Sequence, residues 1–430
     1  MRFLGIIELS ILVTYIYVKY RRDGLFVFLD VSKIGFILWL GTMGLYNIQI
    51  SSLYHPSIEI NLLSILIITN FYLMSILKLG FTTSLKEEIV LLRTNGITGS
   101  YAKGIVLLFV VGLFASYRTY TLYGFTLLNE NKLMRTDLAM GYAYNSLVVV
   151  AIFSYILFRI SNKKNERVKA IALLIGSLAL LVLLMNRGSL FYILLGIAVF
   201  ELLYYYAIQN RKYLSTKIKA VVIIAAITAV FLFGLFGDIR TEGVNKIYHS
   251  TLTQRYQLPE GIPSGFGQVY VYLTSPIENA SHLIQAKSTT EPAYFNYLFY
   301  PIIKVFANII GMGSEYQTYV AGLPDPEPYL WSIAGLNTFS FMGSAYQDFG
   351  IIGIFVYLAF YDFIIVFMSM ILRTRLCPVS KIIIYSLLMN CILWSVFTNS
   401  VFKLAVLWTN TVLIILIDKT IRKIKIGAAV

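Results

Sequence analysis

The sequence predicts an all-α polytopic membrane protein with about eleven transmembrane helices and one long extracytoplasmic loop that contains short helices. Hydrophobic residues make up 58% of the chain and the mean hydropathy is +0.74, whereas soluble domains are roughly 45–50% apolar. Charged residues amount to only 13%, about half the usual share. Apolar runs of about 20 residues, the length that crosses a bilayer as a helix, recur along the chain.

The predicted spans fall into a group of eight and a group of three. The first span precedes Lys19 without a small-residue cleavage site, so we expect a retained helix and not a signal peptide. Between the groups, the stretch from Asp238 to Ser340 holds eight of the ten prolines, which disfavours spanning helices through most of it. The spans lie at residues 3–18, 34–50, 58–77, 104–123, 139–158, 170–185, 188–207, 220–237, 349–371, 382–398 and 404–418.

The same pattern divides the chain into three parts. Residues 1–237 form an N-terminal transmembrane bundle, residues 238–348 an extracytoplasmic loop domain, and residues 349–430 the C-terminal spans with a cytoplasmic tail. The two cysteines, Cys377 and Cys391, fall on a cytoplasmic loop and inside a span, so no disulfide is expected. Asp362, inside the ninth span, is expected to pair with a neighbouring helix.

The orientation follows from the basic residues. Loops on one side and the C-terminal tail hold 24 of the 35 Lys and Arg residues, and the opposite side holds 11. The richer side is expected to be cytoplasmic, which places the N-terminus outside, the C-terminus inside and the long loop outside. The net charge of +14 is thereby explained as an orientation signal, and we expect no nucleic-acid partner. The expected location is the cytoplasmic membrane, with lipids as neighbours.

Of the arginines on the outer side, against the charge rule, four are candidates for a site: Arg118, Arg187, Arg240 and Arg255. For any one of them, an acidic neighbour or a headgroup phosphate is the simpler explanation. Several arginines at the same depth in the membrane favour a shared ligand instead. Guanidinium groups bind pyrophosphate oxygens through paired hydrogen bonds and stay charged at any relevant pH. The set therefore predicts a site for a diphosphate-bearing lipid.

The long loop offers aromatic side chains but no metal site. The three histidines, His55, His249 and His282, lack metal-ligand spacing, so neither a metal nor another cofactor is expected. Tyr294–Ile310 has the pattern of an amphipathic helix at the membrane interface. The loop aromatics fit either an interfacial belt or a sugar-binding cleft, and both explanations stay open. They are Tyr270, Tyr272, Tyr294, Tyr297, Tyr300, Tyr316, Tyr319, Tyr329 and Trp331.

Several features together resemble the bacterial oligosaccharide repeat-unit polymerases of the Wzy type. The span count and the single long outer loop match, as does the segment Asn186-Arg187-Gly188-Ser189-Leu190 at the start of a span. Another arginine, Arg240, follows the span before the loop. The most suggestive stretch is Gly343-Ser344-Ala345-Tyr346-Gln347-Asp348-Phe349-Gly350-Ile351-Ile352-Gly353, where the loop re-enters the membrane. The resemblance covers about residues 185–372.

The resemblance implies a metal-independent glycosyltransferase for capsule, O-antigen or exopolysaccharide synthesis. Such an enzyme extends a polyprenyl-pyrophosphate-linked glycan at the outer face, and flippase and chain-length regulator proteins are partners of the same pathway. Arg187 and Arg240, supported by Arg118 and Arg255, would stabilise the leaving pyrophosphate. A general base must deprotonate the acceptor hydroxyl. Asp348 is the first candidate, with Asp238 and His282 behind it, although an acid just before a span equally suits a helix cap.

Two other functions remain open. An O-antigen ligase would move a finished glycan to another acceptor, and its outer loop is expected to carry spaced histidines that His249 and His282 do not clearly match. A polysaccharide flippase or other transporter would have charged residues along its spans and short outer loops. The long loop and the few intramembrane charges argue against a transporter.

Overall fold

In the structure, a computed structural model, helices are the only regular secondary structure of the described residues. It describes residues 1–95, 99–123, 145–183, 187–208, 212–216, 220, 224, 227, 255–286, 293–322, 328–398, 401 and 405–427. The helices are α1 Arg2–Asp23, α2 Val31–Ile48, α3 Ile58–Ile76, α4 Phe81–Asn95, α5 Gly99–Tyr123, α6 Ser146–Ile160, α7 Lys164–Leu183, α8 Arg187–Ala207, α9 Ser264–Gln285, α10 Asn296–Ile309, α11 Gly313–Ala321, α12 Tyr329–Ala334, α13 Phe341–Phe349, α14 Ile351–Arg373, α15 Pro378–Leu393 and α16 Ala405–Gly427.

The helices confirm an all-α, membrane-embedded protein. Within the described ranges, six segments are long and apolar enough to cross a bilayer: Arg2–Phe28, Ile58–Ile76, Tyr101–Arg118, Ser189–Ala207, Ile351–Arg373 and Pro378–Val396. Helices also occupy the predicted spans at α2, α6, α7 and α16, but these are shorter or more polar. The predicted span at 220–237 lies almost entirely outside the described residues. The total of eleven spans stays a prediction.

The described chain forms two compact units that cut across the sequence-based parts. The first comprises the described residues of Met1–Lys78, Lys212–Phe363 and Ile392–Lys403. In this unit α9 packs against α2 and α3 on one side and against α12 and α13 on another. Residues 264–285, predicted to lie in a loop, thus form a 22-residue helix within the core of the unit.

The second unit comprises the described residues of Leu79–Arg211, Ile364–Cys391 and Leu404–Val430. Helix α6 is its centre and packs against α5, α7 and α8. Helix α4 was not predicted from the sequence, because charged residues lie between the apolar residues of its buried face. Buried Phe81, Leu85, Ile89 and Leu92 recur every three or four residues, which is the period of one helix face.

Within the first unit, segments that the distribution of Lys and Arg assigns to the same side of the membrane contact each other. On the predicted outer side, Ser51 donates its hydroxyl to the carbonyl of Tyr256 at 2.6 Å. On the predicted cytoplasmic side, the N–H of Leu25 donates to the carbonyl of Lys212 at 3.0 Å. These contacts agree with the relative sides of the four segments, and which side is cytoplasmic stays a prediction. Inside the ninth span, Asn70 on α3 donates to Asp362 at 2.8 Å, confirming the expected pairing.

Candidate functional site

A polar face of α9 is the centre of the candidate site. Thr274, Glu278 and Ser281 are buried and recur at helical spacing, followed by half-exposed His282. This face is directed at the segment that joins α2 to α3. Thr274 donates to the hydroxyl of Tyr54 at 2.9 Å. The sequence therefore places a row of hydrogen-bonding groups inside an apolar bundle, where each needs a partner.

Glu278 is the most deeply buried carboxyl group of this face, with no exposed surface. The hydroxyl of Tyr46 donates to its Oε2 at 2.5 Å, and the backbone N–H of His55 donates to both oxygens at 3.1 Å. Burial raises the pKa of Glu278, and these hydrogen bonds and the nearby His55 oppose the rise. A carboxyl group whose pKa is shifted by burial and by a nearby charge marks a candidate functional site.

That neighbour is His282, one turn further along α9. Its Nε2 lies 3.8 Å from Oε1 of Glu278, and its ring stacks on Tyr329 with centroids 3.4 Å apart and planes 15° apart. The imidazole is 35% exposed, so it is accessible to a ligand. Burial, followed by the charge of nearby His55, lowers the pKa of His282. Its neutral form is therefore favoured near pH 7, as a proton acceptor requires.

Asn279 holds the segment around α12 onto α9. Its side-chain amide donates to the carbonyls of Leu336 and Thr338 at 3.0 and 2.8 Å, and its Oδ1 accepts the N–H of Leu330 at 2.8 Å. Asn279 is 1% exposed, so these three bonds replace all contact with water. As a result, Tyr329 is held on His282.

Arg255 lies at the other end of α12. Gly335 has φ +68°, and a Cβ added to it would collide with a terminal guanidinium nitrogen of Arg255. The arginine is exposed, and no carboxylate of the described residues approaches within 4.0 Å of it. Helix α12 has six residues, a length of about 9 Å. An accessible imidazole and an accessible guanidinium thus contact opposite ends of one short helix.

Asp348 has a different environment. It has no exposed surface and accepts the N–H groups of Tyr297 and Leu298 at 3.1 and 3.0 Å, capping the first turn of α10. The hydroxyl of Tyr357 donates to it at 2.6 Å. Burial raises the pKa of Asp348, and the three donors oppose the rise. The sequence allowed either a cap of the span that follows Asp348 or a catalytic role. This geometry favours a capping role, but the helix that Asp348 caps is α10.

The other predicted site residues are not brought together by the described structure. Asp238 and Arg240 lie outside the described residues, as does the side chain of Arg187, whose backbone begins α8. Arg118 is exposed near the end of α5 and belongs to the second unit. Of the predicted site residues whose side chains the structure describes, His282 and Arg255 are the two that contact α12. The amphipathic helix predicted at 294–310 is confirmed as α10.

Sequence reasoning missed Glu278, His55 and Asn279. The signal was the i, i+4 spacing of Glu278 and His282, which places both on one helix face. This spacing has meaning only within a helix, and Pro276 argued against a helix here, because proline disfavours the interior of one. Here the backbone accommodates it, and the N–H of Ser340 donates to the carbonyl of Pro276 at 3.1 Å.

In the described part of the chain, no three His, Cys, Asp or Glu side chains are grouped closely enough to hold a metal ion. Comparison with models of protein families, with curated proteins and with solved structures finds no match to this chain.

Proposed function

We propose that the protein is a membrane glycosyltransferase that polymerises polyprenyl-pyrophosphate-linked repeat units at the outer face of the cytoplasmic membrane. The substrate class is supported by the sequence resemblance and by the outer-side arginines. The site is supported by one observation: half-exposed His282 lies beside buried Glu278, and exposed Arg255, which has no carboxylate of the described residues within 4.0 Å, lies at the opposite end of α12.

In this proposal His282 is the general base. It takes the proton of an acceptor sugar hydroxyl on the ring nitrogen that does not face Glu278. The hydroxyl oxygen forms a bond to the anomeric carbon of the growing chain, and the bond from that carbon to the pyrophosphate oxygen breaks. Glu278, 3.8 Å away, stabilises the imidazolium that results. A positioned base of this kind typically contributes ~10²–10⁴ in rate.

Arg255 binds the leaving pyrophosphate, whose negative charge increases as the bond breaks. Arg187 and Arg240 remain sequence-based candidates for the same task, and Arg118 a weaker one. The α12 side chains suit a sugar between base and phosphate, since Tyr329 is half-buried and Trp331 is 47% exposed. Aromatic faces of this kind stack on the C–H faces of sugar rings. Flippase and chain-length regulator proteins are the proposed partners.

The test is the length of the glycan in a deletion strain and in strains that carry variants at matched protein level. We expect the deletion strain to accumulate single repeat units on the carrier lipid, and His282→Ala and Arg255→Ala to shorten the polymer strongly. Arg93→Ala is the matched control, because Arg93 is an exposed arginine on α4. Finished chains that stay on the carrier would indicate a ligase instead. Normal polymer from both site variants would refute the assignment of the site.

A further inference from the structure

A second candidate binding site is a groove on the outside of the first unit, distant from α12. It has a volume of about 840 Å³ and runs along α1 between that helix and α3, with Phe36 of α2 at its floor. Its lining extends along α1 from Ile6 to Lys19, a length of about 20 Å. The surrounding face of α1 is exposed and apolar: Ile7, Ile11 and Val18 are 39%, 49% and 54% exposed.

Aromatic rings and one cation form the end of the groove. Tyr15 and Phe36 have centroids 4.4 Å apart, and Phe36 and Tyr72 5.4 Å apart. The ammonium of Lys19 lies 5.4 Å from the centre of the Tyr15 ring. No carboxylate in the described ranges comes within 4.0 Å of this ammonium, whereas nearby Arg22 is paired with Asp23 at 2.8 Å. The cation of Lys19 is therefore available to a ligand.

This end of the groove lies far from the candidate catalytic site. Tyr72 is 14 residues beyond Ile58 on α3, which is about 21 Å along the helix, and Ile58 follows shortly after His55. The two sites are thus near opposite ends of α3. The distribution of Lys and Arg predicts that these ends lie on opposite sides of the membrane. The groove does not depend on the proposed glycosyl transfer.

We infer that the groove binds an anionic glycerophospholipid of the surrounding bilayer, with an acyl chain along α1 and the phosphate at Lys19. A groove on apolar, lipid-facing helices is filled by hydrocarbon, and its length exceeds the ~15 Å of one leaflet's core, enough for an extended chain. A lysine is a point charge suited to phosphate, and at the end of a spanning helix it lies at headgroup depth. The charge complementarity selects an anionic over a zwitterionic headgroup.

The experiment measures lipids retained by the purified full-length protein by native mass spectrometry. Delipidated protein is titrated with phosphatidylglycerol or with phosphatidylcholine of the same acyl chains. The variants are Lys19→Ala, which removes the cation, and Thr14→Trp, which fills the groove at an exposed lining residue. Lys103→Ala is the control, since Lys103 is an exposed lysine near the end of another candidate span.

We expect the wild-type protein to prefer phosphatidylglycerol. Lys19→Ala should weaken that binding about fivefold, the effect of one basic residue near a headgroup, and should weaken phosphatidylcholine binding less, because the choline cation offsets the phosphate charge. Thr14→Trp should reduce binding of both lipids, and Lys103→Ala should change neither. Equal affinity of the wild-type protein for the two lipids would overturn the inference. An equal loss in Lys103→Ala and Lys19→Ala would do the same, because it would reduce the effect to general surface charge.

Discussion

At the scale of single residues, two fully buried carboxyl groups differ in what surrounds them. Asp348 is enclosed by two helix N–H groups and the hydroxyl of Tyr357. Glu278 has a tyrosine hydroxyl and one N–H, and in addition an imidazole that reaches the surface. A proton can be exchanged with a substrate only through an accessible group. The geometry therefore favours a structural role for Asp348, and it is the reason that we propose the pair on α9 as the acid–base site.

Asp348→Asn tests the capping role. The substitution replaces one carboxylate oxygen by an NH₂ group, which faces the N–H and O–H donors around it and cannot accept their hydrogen bonds. We therefore expect the free energy of unfolding to fall by about 1–3 kcal/mol. Tyr357→Phe removes only one donor and should cost about 0.5–1.5 kcal/mol. Both are measured as a lower Tm of the purified protein in detergent. An Asp348→Asn variant with unchanged Tm but no transfer activity would return Asp348 to the catalytic site.

The pKa of His282 predicts a pH dependence. Burial and the charge of His55 lower it from its usual value near 6.5. A general base must be neutral, so activity should be full above about pH 6.5 and should fall as the pH drops through the lowered pKa. His55→Gln removes the nearby imidazole charge, while the backbone N–H of residue 55 can still donate to Glu278. We expect this variant to move the acid limb of kcat/KM to higher pH, and an unchanged limb would exclude His282 as the base.

At the scale of elements, α9 connects the apolar bundle to the candidate site. Its polar face binds the segment between α2 and α3, and Asn279 binds the segment around α12. One helix thereby fixes both the acid–base pair and the aromatic residues beside it. The prolines of the 238–340 stretch, one of them inside α9, are why composition alone assigned residues 264–285 to a loop.

Asn279→Ala tests this connection. It removes three buried hydrogen bonds, so we expect the segment 328–340 to open more easily by about 2–3 kcal/mol. Amide hydrogen exchange of that segment should rise accordingly, with activity reduced because Tyr329 and Gly335 are no longer held. Gln285→Ala, an exposed amide on the same helix, should leave exchange unchanged. Equal protection in the wild-type and Asn279→Ala proteins would show that other contacts hold the segment.

At the scale of the whole molecule, the sequence predicted the helical membrane class because hydropathy and span length are local properties of the chain. It predicted the pairing of Asp362, since a carboxyl group at membrane depth needs a partner. It could not predict α4, whose apolar stripe is diluted by charge, or α9, which contains a proline. The site depends on the side chains of Glu278, His282 and Tyr329 and on the backbone N–H of His55, and no local pattern shows which of these meet.

The orientation of the molecule can be tested with its own cysteines. Cys377 lies half-exposed between α14 and α15, Cys391 is buried, and neither is in a disulfide. Because residues 373–381 are predicted to be cytoplasmic, a membrane-impermeant maleimide should label Cys377 in inside-out vesicles and not in intact cells. Thr290→Cys, in the long loop, should show the reverse. Labelling of both positions from the same side would refute the predicted topology, and with it the proposed outer-face reaction, whereas the lipid groove at Lys19 would be unaffected.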